Sequence, residues 1–297
     1  MAETATTSYT LIDGRKVSKD IKAEISQRVL ERKAQGKKVP HLAFILVGDD
    51  GASQTYVDNK VKACKDVGFH YTMMRFADTI SEEKLAKHIA HVNDDDDVDG
   101  FIVQLPLPPH ISVEKINEQI RPDKDVDGFT NRNFGSIISK QPLLMPATPF
   151  GVIELLRRYQ IETEGKECVV VGASRIAGAP LSMMLIEQGH ATVTVCHKYT
   201  KDLGAHTRKA DILLVAVGKP GLITGDMVKP GAVVIDIGTT KVDDPSKPNG
   251  FSIKGDVDFA TVAPHCSFIT PVPGGVGPMT IASLLLNTLR ATELRLP

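Results

Sequence analysis

The sequence predicts an α/β protein of two domains, the second a Rossmann-like unit. Three observations carry this. Short runs of β-branched and aliphatic residues alternate with helix-length segments of amphipathic spacing. One such run, Cys168–Val171, leads into a glycine-bearing turn and then a helix, in the stretch VVVGASRIAG at Val169–Gly178. Pro146, Thr148 and Pro149 form a stiff junction near the middle of the chain, read as the domain boundary.

Composition narrows the class. The chain has 297 residues, 42% hydrophobic and 24% charged, with a formal net charge of −1. These are the proportions of a soluble globular protein, and the charge gives no basis for a nucleic-acid or anionic-membrane partner. No apolar run approaches the length of a bilayer span. The start, MAETATTSYT, has no apolar core and does not read as a secretory or transit signal, so a cytoplasmic location is expected. Cys64, Cys168, Cys196 and Cys266 are far apart, form no C-x-x-C pair and read as free thiols.

In the first half, Val17, Ile21, Ile25 and Val29 recur every four residues, which predicts one face of an amphipathic helix. His41–Gly48 reads as a buried strand, and Ser53 as the cap of a second helix running to about Val67. Tyr56 and Lys60 are four apart and share a face of that helix. A surface tyrosine beside a solvated lysine is the plain alternative. Their position just after a strand's C-terminal end, where α/β sheets place ligands, favours a site. His70–Phe76 is a third apolar run, Ser81 opens a helix to about Asn93, and the acids Asp94–Asp97 read as a solvated loop rather than a metal site. The strand Gly100–Leu105 ends in Gln104, an amide that either orients a ligand or a neighbour or faces solvent. In PDKDVDGFT, at Pro122–Thr130, Asp125 and Asp127 suit either a ring with several N–H donors or an acidic turn. A helix is read over Phe150–Tyr159.

The second half holds the cofactor signal. The spacing at Gly172, Ser174 and Gly178 is G-x-S-x-x-x-G, not the usual G-x-G-x-x-G, so an ordinary βα turn is the alternative to a dinucleotide site. In the favoured reading Gly172 lets backbone approach a ligand, Ser174 donates or caps, and the helix from Gly178 presents its N-terminus to a phosphate. The next strand, Ala191–Cys196, is followed by His197 and Lys198, with Lys201 nearby and no acid. An acid there would bind the ribose 2′-hydroxyl of NAD; basic residues, with Arg175 in the turn, point to the 2′-phosphate of NADP. Asp211–Gly218 and Ala232–Gly238 are two more buried strands ending in glycine. FITPVPGGVGPMT, at Phe268–Thr280, is a loop rich in glycine and proline before a last helix over Thr280–Glu293.

Taken together these stretches resemble the bifunctional methylenetetrahydrofolate dehydrogenase/cyclohydrolase family. The matching segments are Val47–Cys64 with its Y-x-x-x-K, VQLPLP at Val103–Pro108, KDVDG at Lys124–Gly128 and PATP at Pro146–Pro149. They continue with GAS at Gly172–Ser174, GDV at Gly255–Val257 and PVPGGVGPMT at Pro271–Thr280. The resemblance spans nearly the whole chain in order, and the last motif is highly specific.

The resemblance implies two α/β domains flanking a cleft. A folate-binding catalytic domain over 1–148 is completed by the C-terminal helix 280–297, and an NADP-binding domain covers 149–279. It implies oxidation of 5,10-methylene-tetrahydrofolate with NADP, then hydrolysis of the methenyl product to 10-formyl-tetrahydrofolate. Lys60 is the expected catalytic lysine, held by Gln104, with Tyr56 packing on the folate and Asp127 binding the pterin N–H groups. Val103 and Leu105 complete the substrate contacts, and the Pro273, Gly274, Gly275, Val276 and Gly277 loop would close over them. The cofactor contacts are Gly172, Ala173, Ser174, Arg175, His197, Lys198 and Thr239. No metal is expected, and a homodimer through the second domain is. Some relatives carry arginine at the place of Ala173 and serine at that of Lys198, and the usual G-I-N after AVVID is here Gly238, Thr239 and Thr240. A dehydrogenase without the hydrolase step, or a non-catalytic binder of NADP or folate, are the competing readings. Retention of Tyr56, Lys60 and Gln104 argues against both.

Overall fold

The computed structural model describes residues 9–139, 142–247 and 250–295. By contacts the described chain divides into two compact units, 9–18 with 148–280, and 19–147 with 281–295. The N-terminal segment was expected in the first domain; it falls with the second half instead. The reason is its pairing. Strand β1 (Thr10–Leu11) lies parallel to β11 (Cys266–Ile269), with the Ile12 N–H donating to Ile269 O at 2.8 Å. The Asp13 N–H donates to the Tyr159 hydroxyl at 2.7 Å. Helix α1 (Gly14–Ala34) follows, burying Val17, Ile21, Ile25 and Val29 as their spacing predicts.

The unit over 19–147 is built on a three-stranded parallel sheet, β2 (His41–Val47) flanked by β3 (His70–Phe76) and β4 (Gly100–Val103), in the order β3-β2-β4. All seven residues of β2 are buried, as a central parallel strand covered on both faces requires. Helix α2 (Gly51–Val67) ends on Gly68 at φ 81°, whose N–H closes the last turn onto Cys64 O and Lys65 O. Its N-cap is Asp50, not Ser53: the Ser53 N–H and hydroxyl both donate to Asp50 Oδ2, at 2.7 Å each. A carboxylate outcompetes a hydroxyl at this position because it accepts both bonds and also meets the positive end of the helix. Ser81 does cap α3 (Glu82–Asp94). Two short helices had no sequence expectation, α4 (Val113–Glu118) and α5 (Asn131–Ile138). The acidic run is largely exposed, as expected, and makes two pairs, Asp96 with Arg295 at 3.0 Å and Asp97 with His41 at 3.0 Å.

Helix α6 (Ala147–Arg158) starts three residues earlier than expected, so Thr148 and Pro149 sit in its first turn, where a missing N–H costs no helical bond. The unit over 148–280 then runs β5 (Glu167–Val171), α7 (Gly178–Glu187), β6 (Thr192–Cys196), α8 (Leu203–Thr207), β7 (Ile212–Val215) and β8 (Ala232–Asp236). A small antiparallel pair, β9 (Thr240–Asp243) with β10 (Phe251–Lys254), and helix α9 (Phe259–Val262) precede β11. The main sheet is parallel throughout, in the order β1-β11-β8-β7-β5-β6. Strand β5 therefore has β6 on one side and β7 on the other. This reversal of strand order is where doubly wound sheets open a crevice at the strands' C-terminal ends. Helix α10 (Val276–Arg295) closes the chain. Within the 19–147 unit, its Asn287 amide donates to Val126 O at 2.8 Å and Met145 O at 2.7 Å.

Candidate active site

Helix α2 begins just after the C-terminal end of β2, and its fourth-residue spacing sets Tyr56 and Lys60 one turn apart. Lys60 is 5% exposed. Its Nζ lies 4.9 Å from the Tyr56 ring centroid and donates to Gln104 Oε1 at 3.1 Å. Gln104 sits one residue beyond β4, and its other amide group donates to Leu105 O at 2.7 Å, which turns the oxygen toward Lys60. An ammonium has three donors. Among the described residues Gln104 is the one hydrogen-bond acceptor Lys60 meets, so two donor directions remain for solvent or ligand. Burial pushes the Lys60 pKa below the ordinary lysine value, partly offset by the negative charge of Asp127. Tyr56, 40% exposed, presents an open ring face, and burial of its phenol with the Asp127 charge raises its pKa. Val103 is buried in the core with Ala43, Ile45 and Phe101, so its side chain is not open to a ligand; Leu105 is half-buried.

The two aspartates of KDVDG have separate fates. Asp125, 1% exposed, accepts from the N–H groups of Gly128 (3.0 Å), Phe129 (3.1 Å) and Thr130 (2.8 Å) and from the Asn133 amide (2.9 Å). It is spent on the turn leading into α5. The Asp127 carboxylate accepts no hydrogen bond from any described residue. Burial and Asp125 raise its pKa while Lys60 pulls it down. The turn that carries it is fixed: Gly128 at φ 72° leaves no room for a Cβ against Pro146 N at 2.5 Å, and the Ala147 N–H donates to Asp127 O at 3.1 Å. Lys124 is fully buried and donates to Val92 O at 3.0 Å and Asp95 O at 2.6 Å, capping α3.

In the 148–280 unit, a cavity of about 680 Å³ opens at the C-terminal ends of β5, β6 and β7. Its walls bring together Gly172, Ala173, Ser174, His197 and Lys198, with Thr200, Val217 and Lys219. Gly172, at φ 118°, lies where a Cβ would meet Ala216 O at 2.2 Å, and a Cβ on Gly178 would meet Gly172 O at 1.9 Å. Both glycines are demanded by the close turn. The helix N-terminus is a poorer phosphate site than its position suggests: Pro180 has no N–H, and the Ala179 N–H is used on Ser174 O at 3.0 Å. Cationic side chains carry more of the charge there. Lys198 is exposed, its Nζ 4.9 Å from the Tyr199 ring centroid, and Arg175 is exposed in the turn. The sequence reading did not single out Lys219, although Gly218-Lys219-Pro220 follows the third buried strand.

Thr239 lies elsewhere, in a cavity of about 150 Å³ with Asp236, Arg15 and residues of the Pro271–Pro278 loop. That loop is held in place rather than free. The Arg15 N–H donates to Gly274 O at 3.1 Å, the Gly275 N–H to Pro271 O at 2.8 Å, and Gly14 packs so closely on Gly275 O that a Cβ would lie 1.8 Å away. Val276 and Gly277 already belong to α10. Among the described residues no cluster of three or more His, Cys, Asp or Glu is arranged to hold a metal.

Two family models match successive parts of the chain, with boundaries that differ at both ends from the division by contacts. Residues 12–127 match the tetrahydrofolate dehydrogenase/cyclohydrolase catalytic domain, and residues 146–296 match the NAD(P)-binding domain of the same family. The chain is 53% identical over 288 residues to the bifunctional protein FolD of Cytophaga hutchinsonii, covering 96% of this chain and 99% of that protein. The crystal structure of the bifunctional FolD of Campylobacter jejuni, 45% identical, superposes with a TM-score of 0.92 over 97% of this chain and all of that one. The Trypanosoma brucei FolD, solved with NADP cofactor and an inhibitor, gives a TM-score of 0.91 at 39% identity, covering 97% of this chain and 98% of that one. The chain belongs to the tetrahydrofolate dehydrogenase/cyclohydrolase family.

Proposed function

We propose that this chain oxidises 5,10-methylene-tetrahydrofolate with NADP and hydrolyses the methenyl product to 10-formyl-tetrahydrofolate. The observation that carries the reading is Lys60, a buried amine with one neutral acceptor, a lowered pKa and an open tyrosine face beside it. We assign the folate chemistry to the 19–147 unit and the cofactor to the 148–280 unit.

The wall around the strand ends suits a dinucleotide. Gly172 leaves space for backbone approach, the cavity matches a large ligand, and Lys198, Lys219 and Arg175 supply positive charge. Gly172–Arg175 would hold the pyrophosphate, and His197 with Lys198 the 2′-phosphate; Lys198 acts there as a point charge rather than a bidentate fork. When bound, the nicotinamide accepts a hydride from the methylene carbon. The protein's own task in that step is alignment: Tyr56 packs on the folate, and the unpaired Asp127 carboxylate accepts from pterin N–H groups.

In the hydrolysis, water adds to the cationic methenyl carbon while Lys60 Nζ takes a proton from it. The positive substrate further disfavours a charged lysine, which increases the share of neutral base. Lys60 then returns the proton to N5 as the C–N5 bond breaks. The carbinol O–H gives its proton to solvent, leaving the formyl group on N10. Gln104 keeps the amine aimed throughout.

We extend the proposal to a homodimer formed through the NADP unit and to a cytoplasmic location. Four buried free thiols suit a reducing compartment, and light scattering on the purified protein tests the dimer. The activity test follows methenyl formation from 5,10-methylene-tetrahydrofolate with NADP and with NAD, then methenyl decay against the uncatalysed rate. NADP preference with accelerated decay supports the full reading. Reduction without accelerated decay leaves a dehydrogenase alone, and no reduction with either dinucleotide overturns it.

A further inference from the structure

Two buried carboxylates, Asp236 and Asp256, lie near the ends of the strands that carry the cofactor cavity, and neither is among the cofactor contacts assigned above. Asp236, at the end of β8 and 3% exposed, accepts on Oδ1 from the N–H groups of Gly238 (2.9 Å) and Asp256 (3.0 Å), and on Oδ2 from Val257 (3.0 Å). Asp256, fully buried, accepts on Oδ2 from the N–H groups of Val217 at 2.6 Å and Gly218 at 3.0 Å. Glycine permits the stack: a Cβ on Gly255 would lie 1.9 Å from Asp236 Oδ2, and one on Gly238 would lie 2.4 Å from Asp256 Cγ. The end of β8 thus holds the 255–257 turn, and that turn holds the segment leaving β7. Val217 and Lys219, on either side of Gly218, line the cavity assigned to the dinucleotide.

We propose that Asp256 is a positioning residue for the cofactor, clamping the Val217–Gly218 backbone so that Val217 and Lys219 face the dinucleotide. Val217 is 38% exposed and Gly218 is also exposed, and among the described residues this carboxylate is the acceptor for both N–H groups. The clamp uses one oxygen. No described residue donates to Asp256 Oδ1, although it is buried. An asparagine can therefore keep its carbonyl oxygen on Val217 and Gly218 and place its amide where Oδ1 was, whereas alanine removes the acceptor.

The inference rests on the NADP reading above, and the experiment separates the two. NADPH fluorescence titration and methenyl hydrolysis, which needs no dinucleotide, are measured on the full-length wild type, Asp256→Ala and Asp256→Asn. Loss of a hydrogen-bond acceptor of this kind is expected to raise the NADPH Kd of Asp256→Ala by about tenfold or more. Asp256→Asn should stay within about threefold of wild type, since its carbonyl still accepts both N–H groups. Hydrolysis kcat should be retained in both. An unchanged Kd in Asp256→Ala overturns the assignment, and so does an equal loss of binding and hydrolysis in every variant. Should Asp256→Ala fail to fold, amide exchange of the wild type decides. Slow exchange at Val217 and Gly218 without NADP supports the clamp, and unprotected exchange there removes it. A wild type that fails to bind NADPH would instead overturn the cofactor reading, while the exchange measurement still reports on the clamp.

Discussion

Two lysines are buried among the described residues of the 19–147 unit, each within a motif, and they are opposites. Lys124 gives two of its three ammonium donors to backbone carbonyl oxygens at the end of α3, which ties it to the fold. Burial and the nearby Arg295 and Arg121 guanidiniums lower its pKa to about 8. Lys60 has one amide oxygen at 3.1 Å and an aromatic face, and keeps donor directions unfilled. The same contrast divides Asp125, which accepts four hydrogen bonds, from Asp127, which accepts none from described residues. A lowered lysine pKa alone does not separate a base from a strut. The partners do, because a group held by backbone carbonyls cannot exchange protons with a substrate without disturbing the fold.

The contrast predicts opposite phenotypes. Lys124→Met removes the hydrogen bonds to Val92 O and Asp95 O and leaves Val92 O without this buried donor, and should cost about 2–4 kcal/mol in urea unfolding. Lys60→Met replaces a sparsely bonded amine by an apolar chain of similar length and should change stability by less than about 1.5 kcal/mol. Asp125→Asn removes the charge on which four donors converge, and should cost about 2–3 kcal/mol. Asp127→Asn should leave the unfolding midpoint nearly unmoved and raise the folate KM. Comparable destabilisation by both aspartate variants would erase the distinction.

Gln104→Glu sharpens the comparison through pH. Hydrolysis needs the neutral amine, so its kcat should rise with pH through an apparent pKa below the ordinary lysine value and be lost as pH falls through it. A carboxylate in place of the amide favours the ammonium and should move that profile up by about 1–2 units. A profile that stays put would mean that Lys60 does not set it. The smallest effect is expected from Tyr56→Phe, which keeps the ring face and should shift stability by about 0.5 kcal/mol or less.

Much of this arrangement is legible from spacing. Tyr56 and Lys60 share a helix face by their separation of four, and the glycine turn after β5 follows a strand of β-branched residues. What is not legible depends on partners distant in sequence. The N-terminal segment sides with β11 across more than 250 residues, a pairing that a two-residue strand cannot announce. The N-cap of α2 turns on a choice between Asp50 and Ser53 that only geometry decides. KDVDG offers two equivalent aspartates, and what separates them is the turn into α5, itself unmarked by periodicity. Asp256 lies in a motif that the sequence flags without a role, because its bonds run to the backbone of Val217 and Gly218, and backbone donors leave no trace in side-chain identity.

The most direct test of the central claim is the decay of 5,10-methenyl-tetrahydrofolate in the presence of folded Lys60→Met, with substrate binding measured in parallel. Removing a general base should slow hydrolysis by about 10²-fold or more, toward the uncatalysed rate, while substrate binding is largely kept. Wild-type hydrolysis by that variant would remove Lys60 from the mechanism.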